Sequence, residues 1–404
     1  MKIGMILDNT FPPDSRVENE AVSLIREGHE VFLFCLNSGD QPEKEIINGI
    51  QIHRFPTNKF EYKLSALAYT IPLYHWLMRP KIKTFINETQ VEVIHIHDLT
   101  IARAAFAEAR KAGKRVVLDL HENRPEIMKF YVHLQKWPGK WLISTRRWNS
   151  FQKKYCHAAD AVIVVTDEAR QDLASEYRIS EQKFAVVPNT VDTSIYLSYE
   201  PDPGITQAYK DTFNILYMGD TGLRRGTDTA ILAIELLKDS IQNVKLILVG
   251  SNTEDAELRE IVRKKNLEPY VHFAGWQDVS LFPSYVEIAD VCLSPLKRNR
   301  HHDTTFANKI FQYMAGGKPL VVSDCPPQVR VVENSGCGLV HQAESRNSLA
   351  ESIFYIHEHP EESLEMGERG RRAVMEQWNW NHTSNELRAL YAGLASEPVK
   401  NQIN

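Results

Sequence analysis

The stretch HHDTTFANKIFQYMAGGKPLVVSD, His301–Asp324, carries the pattern that decides the fold. A polar run leads into a helical turn with one apolar face, then Gly316 and Gly317, then a short apolar strand opened by Pro319. Asp303, Thr304 and Thr305 are candidate N-caps for a helix running through Ala315, which Gly316 or Gly317 would end. Ile310, Phe311 and Met314 share one face, while Asn308 and Gln312 share another with Lys309 beside them. A helix that hands over to a β-branched run through two glycines is one half of an α/β repeat. Junctions of this kind are where phosphates and sugars are gripped.

Working outward, the same alternation fills the chain. FNILYMGD, VKLILVG, VHFAG, ADVCLSP and KPLVVS read as strands with helices between them. Upstream, KIGMIL, EVFLFC, VEVIHIH, RVVLDL and AVIVV repeat the pattern, with helices over Arg16–Glu27 and Thr100–Ala112, the latter ended by Gly113. Each half predicts a doubly wound parallel sheet, with ligands at the carboxyl ends of the strands and a cleft between the halves. Ser198–Lys210, polar and holding Pro201, Pro203 and Gly204, reads as a linker. The expected division is an N-terminal domain over residues 1–197, a linker over 198–212 and a C-terminal domain over 213–380. The final helices are expected over Glu361–Gln377 and Asn381–Leu394, with residues 381–404 crossing back to brace the first domain.

Composition narrows the function classes. At 404 residues the chain fits two domains of roughly 190 residues. A net charge of −5 gives no reason to expect nucleic acid. The five cysteines are scattered with no C-x-x-C, which argues against a disulfide framework or zinc site and favours a reducing cytoplasm. The longest apolar stretch, Leu64–Met78, is broken by Thr70, Pro72 and His75, and falls short of the about 20 residues a span needs. The loop LDNTFPPDSRVENE after the first strand lacks G-x-G-x-x-G, which argues against a nicotinamide-dependent dehydrogenase.

Several motifs in order resemble the family 4 glycosyltransferases: GHEVFLF, VVPNTVDTSIY, YMGDTGLRRGTD, YVEIADVCLSPL, NKIFQYMAGGKPLVVSD and SGCGLV. The resemblance covers nearly the whole chain. It implies the GT-B fold, an α/β architecture of two Rossmann-like doubly wound domains facing a central cleft.

GDTGLRRGTD, Gly219–Asp228, joins a strand to a helix beginning near Thr227. Glycine lets backbone approach an anion, the helix N-terminus favours negative charge, and Arg224 and Arg225 add full cations. The resemblance assigns Arg225 to the donor diphosphate, with Gly219 and Arg224 nearby. Where the family has a second basic residue, this chain has Asp220. The family's two glutamates, for donor sugar and ribose, fall at Thr304 and Gln312, so both carboxylates are missing. Thr305 is grouped with the donor side, Lys309 is assigned to a donor phosphate, and the GWQDV loop with Trp276 is expected to meet the base through its backbone.

At the end of LDLHEN, His121 matches the family histidine that contacts the donor sugar, or else is a capping or core histidine, with Glu122 beside it. His95 and His97 lie on one strand face, which would suit two metal ligands, but no third is evident in sequence and no metal is expected. Asp98 or Thr100 could cap the next helix, and Asp98 is placed on the acceptor side. Arg16 either reaches the acceptor or pairs with Glu20 four residues on. Asp14 or Ser15 is expected to cap its helix.

Within residues 129–154, Lys129, Lys136, Lys140, Arg146, Arg147, Lys153 and Lys154 interleave with Trp137, Trp141 and Trp148. This is either an anionic-membrane surface or a helix packing its tryptophans on the first sheet. The expected activity is retaining transfer of a sugar from a UDP- or GDP-linked donor, a substrate rather than a cofactor, to a hydroxyl. The acceptor is expected to be a surface polysaccharide, glycolipid or lipid-linked glycan, at the inner face of the plasma membrane. Two alternatives remain, a sugar-nucleotide epimerase and a non-catalytic sugar-nucleotide-binding subunit, the latter motivated by Thr304, Gln312 and Asp220.

Overall fold

A computed structural model describes residues 1–396 apart from 132, 133, 135, 136, 138 and 140–142. The chain forms two compact units, Met1–Pro188 joined by the chain from Ser384 on, and Asn189–Thr383. The helix Asn385–Ser396 therefore belongs with the first unit, although the whole second unit precedes it in sequence.

The first unit is built on strands β1 (Lys2–Leu7), β2 (Glu30–Asn37), β3 (Lys44–Ile47), β4 (Ile50–Pro56), β5 (Val93–His97), β6 (Arg115–Asp119), β7 (Ala161–Val164) and β8 (Phe184–Val186). They lie in the order β3-β4-β2-β1-β5-β6-β7-β8, parallel throughout except the edge pair β3–β4. The second unit holds β9 (Phe213–Met218), β10 (Val244–Val249), β11 (Val271–Gly275), β12 (Val291–Ser294), β13 (Leu320–Ser323) and β14 (Gly338–His341), ordered β11-β10-β9-β12-β13-β14 and all parallel. The chain reverses its direction of travel at β1/β5 in one sheet and β9/β12 in the other. Loops diverge at such switch points and leave a crevice at the carboxyl ends. The central strands β1, β5, β9 and β10 are buried on both faces, which is why they read as unbroken apolar runs.

Several local expectations need correction. The helix in the opening stretch spans only Lys309–Ala315, and no side chain caps it. Asp303 is drawn away by Arg298, at 2.6 and 3.1 Å. The Thr304 and Thr305 hydroxyls donate to the backbone carbonyls of Arg300 and His301, at 2.8 Å each. The helix after β5 spans Ala102–Lys111, so neither Asp98 nor Thr100 caps it. Residues 203–209, read as part of a linker, form a helix whose cap Asp202 accepts from Gly204 and Ile205 and donates its own N–H to Ser284.

Of the interleaved tryptophans, Trp148 is 2% exposed and meets the Tyr69 ring edge-on at 4.7 Å, so it is core. Trp137 is 85% exposed, whereas Lys136, Lys140 and Trp141 lie outside the described residues. Arg146, Arg147, Lys153 and Lys154 are exposed on the helix Thr145–Ala158. Asp14 does cap its helix, Ser15–Arg26, accepting from Val17 N at 3.1 Å.

One glycine is obligatory. Gly226 sits at φ 76°, and a Cβ there would stand 1.7 Å from the Pro295 carbonyl oxygen. Gly226→Ala should cost about 3 kcal/mol or more, lowering the thermal midpoint by roughly 6–12 °C. Gly39→Ala, which meets nothing within 4 Å, should leave the midpoint unchanged in the same melting experiment.

Candidate active site

In the second unit, polar groups gather at the carboxyl ends of β9 and β12. Gly219, at φ 107°, follows the last residue of β9 and donates to the Val249 carbonyl at 2.8 Å. Its carbonyl lies 1.9 Å from where a Cβ on Gly250 would stand, so the two strand ends approach through glycine alone. The chain then makes a single 3₁₀ turn, Leu223–Arg225, before the helix Thr227–Leu237, whose first amides have no side-chain cap.

Asp220 organises this loop. Its carboxylate accepts from Asn252 Nδ2 at 2.5 Å and Gly222 N at 3.1 Å. It also pairs with Arg224 at 2.9 Å and Arg225 at 3.5 Å. Burial works against its charge, but Gly222, Arg225, Asn252 and Arg224 together hold the carboxyl below its usual range. The residue that replaces a family cation is thus a fixed anion clasping the two arginines.

Lys309, at the start of its helix, lays its Nζ 3.3 Å from the centre of the Tyr217 ring. The amine rests on the face of that ring. Among the described residues it makes no ion pair, and burial together with the nearby Arg225 pushes its pKa well below the usual lysine range. Gln312, one turn on, is half-buried, and among the described residues its side-chain amide makes no hydrogen bond. Thr304 and Thr305 are buried with their hydroxyls turned to backbone carbonyls, so both serve the turn. Trp276, just past β11, is 73% exposed, and the Gly275 carbonyl accepts from Gly250 N at 2.7 Å.

Two histidines complete this group. Arg224 Nη1 lies 3.3 Å from His302 Nε2, and His302 Nδ1 lies 2.8 Å from the Lys297 carbonyl. His301 is buried, and among the described residues its Nδ1 has no hydrogen-bond partner. Burial, with the neighbouring arginines, drives His301 to about 2 and His302 to about 3. Both are neutral at pH 7. The full cations here are Arg224 and Arg225, faced by Asp220 and by Glu254, which accepts from Leu223 N at 2.8 Å, and guanidinium groups are suited to a phosphate-bearing ligand.

The first unit gathers a different set at β1, β5 and β6. Arg16 is buried and fully engaged: Nε and Nη2 donate to both Asp119 oxygens at 3.0 and 2.8 Å, Nη1 to the Val187 carbonyl at 3.0 Å. Nη2 also meets Glu20 at 2.9 Å. Arg16 is turned inward, away from any ligand. Asp119 also faces His121 Nε2 at 2.9 Å and His97 Nδ1 at 3.3 Å. His95 stacks on His97 with ring centres 4.4 Å apart, and its Nδ1 lies 2.8 Å from the Tyr391 hydroxyl. Asp98, at φ 64°, brings Oδ2 to 3.8 Å from His121 Nδ1. Glu122 lies 3.4 Å from Arg124.

The titrations follow from these contacts. Burial disfavours charge on His121, but Asp119 and then Asp98 raise it to about 9. His97 falls to about 3 through burial and His95. Glu20 rises to about 7, from burial and Asp119 against Arg16. Glu20, His95, His97 and Asp119 place ligand atoms within 4.8 Å of one another, a spacing that suits a cation. A cation is already there. The Arg16 guanidinium sits against both carboxylates, and a divalent ion would have to displace it.

Sequence reasoning missed Asp119, Tyr391, His301, His302 and Asn252. It also missed Asp8, half-buried just after β1, bonded by the Tyr74 hydroxyl and raised to about 7 by burial. A carboxylate directly after a buried first strand was the available signal. Tyr391 carried none, since 296 residues separate it from His95.

The two depressed histidines give an acid signature. Their unfolded values lie near ~6.5, so below that pH the unfolded state binds protons that the folded state refuses. Stability should therefore fall as pH drops from about 6.5 toward 3. A His301→Gln, His302→Gln variant should lose less stability than the parent between about pH 7 and pH 5, compared as denaturant midpoints.

Comparison with known proteins gives these groups a context. Residues 15–195 match the family Glycosyltransferase Family 4, and residues 199–373 match Glycosyl transferases group 1. The chain is 21% identical to the phosphatidyl-myo-inositol mannosyltransferase of Mycolicibacterium smegmatis, covering 100% of this chain and 97% of that protein. It is 22% identical, over 58% of its length, to the GDP-mannose-dependent alpha-(1-6)-phosphatidylinositol monomannoside mannosyltransferase of Mycobacterium tuberculosis, and the match spans only 62% of that relative.

Among solved structures, the sucrose-phosphate synthase of Thermosynechococcus elongatus aligns at TM-score 0.76 and 19% identity, covering 98% of this chain and 99% of that one. Anabaena HepE in complex with UDP aligns at TM-score 0.70 and 15% identity, covering 97% and 100%. These structural likenesses concern the fold. With both family patterns matched in order along its two α/β units, the chain belongs to glycosyltransferase family 4 and has the GT-B fold.

Proposed function

We propose that this protein is a retaining glycosyltransferase that moves a sugar from a UDP- or GDP-linked donor to a hydroxyl of a lipid-linked glycan, glycolipid or surface polysaccharide. The observation that carries this reading is the second-unit group at the end of β9. Two arginines and Lys309 stand beside an uncapped helix N-terminus, with Asp220 the anion held against the arginines. Paired guanidinium groups at a helix start suit a diphosphate. The names of two mannosyltransferase relatives, both acting on phosphatidylinositol derivatives, support a lipid-linked acceptor.

In this mechanism the bond from the sugar's anomeric carbon to the diphosphate breaks while the acceptor oxygen bonds to the same face of that carbon. The acceptor proton passes to a diphosphate oxygen. Arg225 and Arg224 take up charge on the leaving diphosphate, where preorganised cations matter most, and the Lys309 amine donates to it. Gln312 offers its free amide oxygen to a ribose hydroxyl. Charged His121 offers a hydrogen-bond donor to a substrate hydroxyl.

A surface for an anionic membrane is carried by exposed aromatics beside lysines. Phe60, Tyr62 and Trp76 are 63%, 70% and 60% exposed, and the exposed Lys59 and Lys63 adjoin Phe60 and Tyr62 along the helix Lys59–Ser65. Among the described residues no helix is long and apolar enough to cross a membrane, so contact would be peripheral. The working place proposed is the cytoplasmic face of the plasma membrane.

Release of free nucleotide from a panel of nucleotide sugars, with a lipid acceptor extract, tests the activity. Arg225→Ala and Lys309→Ala should each slow release by about 10²–10³-fold. Gln312→Glu should tighten donor binding about tenfold, since hydrogen bonds to charged groups exceed neutral ones by roughly 1–2 kcal/mol. No release with any donor would overturn the catalytic reading. For the surface, replacing Phe60, Tyr62 and Trp76 together by serine should abolish co-sedimentation with anionic liposomes. A parent protein that stays in the supernatant at low salt would sink it.

A further inference from the structure

The first unit commits much buried polarity to a point that no ligand need touch. Asp119 is fully buried at the end of β6, yet Arg16, His97 and His121 all direct polar atoms at its two oxygens. Arg16 is itself braced by Glu20 and by the Val187 carbonyl at the end of β8. Of this group, only His121 keeps part of its surface open, at 19% exposure. Its Nε2 edge is taken up by Asp119 at 2.9 Å and His97 at 3.1 Å, both wholly buried. The Nδ1 edge, with Asp98 at 3.8 Å, is left to meet a ligand.

We propose that Asp119 is a positioning residue for His121, holding the imidazole by Nε2 against the Arg16-braced carboxylate so that Nδ1 is presented as a hydrogen-bond donor to the substrate. This deepens the glycosyltransferase reading and rests on it for the identity of the substrate. The alternative is a purely structural Asp119 that anchors Arg16 and has no bearing on the histidine. Geometry separates the two, because Arg16 already uses both carboxylate oxygens, and His121 makes its shortest polar contact with the same Oδ2.

The groups facing His121 come from several elements. Asp119 precedes it on β6, His97 ends β5, and Asp98 follows β5. Arg16 and Glu20 lie on the helix Ser15–Arg26. Asp119 and Asp98 favour the imidazolium, while Arg16 opposes it. The balance of these contacts keeps His121 protonated up to about 9, as a donor at both nitrogens.

The test is a pH titration of the His121 ring signals by NMR on the ligand-free full chain. The parent should titrate near pH 9, and Asp119→Asn should bring the midpoint down to or below ~6.5. Asp98→Asn should lower it by less. An unchanged midpoint in a folded Asp119→Asn protein overturns the proposal. A second readout needs no variant: above its midpoint, parent His121 should keep its proton on Nε2, and the Nδ1–H tautomer would overturn it as well.

With a turnover assay, Asp119→Asn should shift the alkaline limb of the pH–rate profile downward. Asp119→Asn combined with His121→Gln should be no slower than His121→Gln alone, because residues acting through one group are not additive. Additive losses would assign Asp119 a separate role and overturn the coupling. Absence of turnover in the parent would count against the glycosyltransferase reading, and the NMR titration would still decide the positioning.

Discussion

A parallel strand cannot hand its chain directly to its neighbour, so each must be followed by a crossover. Every carboxyl end then falls on one edge of the sheet, and that edge collects the loops. Both units obey this constraint, and their polar groups follow from it. Asp8 follows β1, His97 and Asp98 stand at the end of β5, and Asp119 and His121 stand at the end of β6. Gly219 and Asp220 follow β9, Gly250 follows β10, and Trp276 follows β11. Residues from remote parts of the sequence meet because the strands that carry them run the same way.

The two edges use the same residue type to opposite ends. His121 is raised to about 9 because carboxylates adjoin it, whereas His301 and His302 are driven to about 2 and 3 by burial beside arginines. The first unit therefore presents a charged imidazole fixed by an anion. The second keeps its imidazoles neutral and leaves positive charge to the guanidinium groups. Asp220 fits this pattern: it is an anion where the family carries a cation, and it holds Arg224 and Arg225 in place.

What the sequence made legible was the alternation. All ten strands read from apolar runs are present, since a strand buried on both faces must be apolar along its length. The edge strand β3, its neighbour β4 and the short β8 and β14 lacked that signature, because KEII and GLVH are short and largely exposed and β4 alternates in burial. The onset of the helix Lys309–Ala315 was misjudged because threonines can bond backwards to carbonyls as readily as they cap forwards. Glu20 was a visible partner for Arg16 at i+4. Asp119, 103 residues away, was not, because pairing along a helix is local and pairing across a sheet is not. Trp148 was open to two readings, membrane surface or packed helix, because its place against Tyr69 depends on a turn 79 residues earlier and left no mark in spacing.

The first unit is closed by the helix Asn385–Ser396, whose Tyr391 reaches His95 and whose Glu386 accepts from Val186 N at 2.6 Å. On a ribosome these residues emerge only after the entire second unit has been made. Until then the buried histidines of β5 lack their tyrosine, and the backbone of β8 lacks its glutamate. The first unit must therefore wait, partly assembled, through the synthesis of about 195 residues at roughly 5–20 residues per second. Its final ordering therefore comes after the second unit has been made, and any chaperone that attends this chain has a long task at the N-terminal sheet.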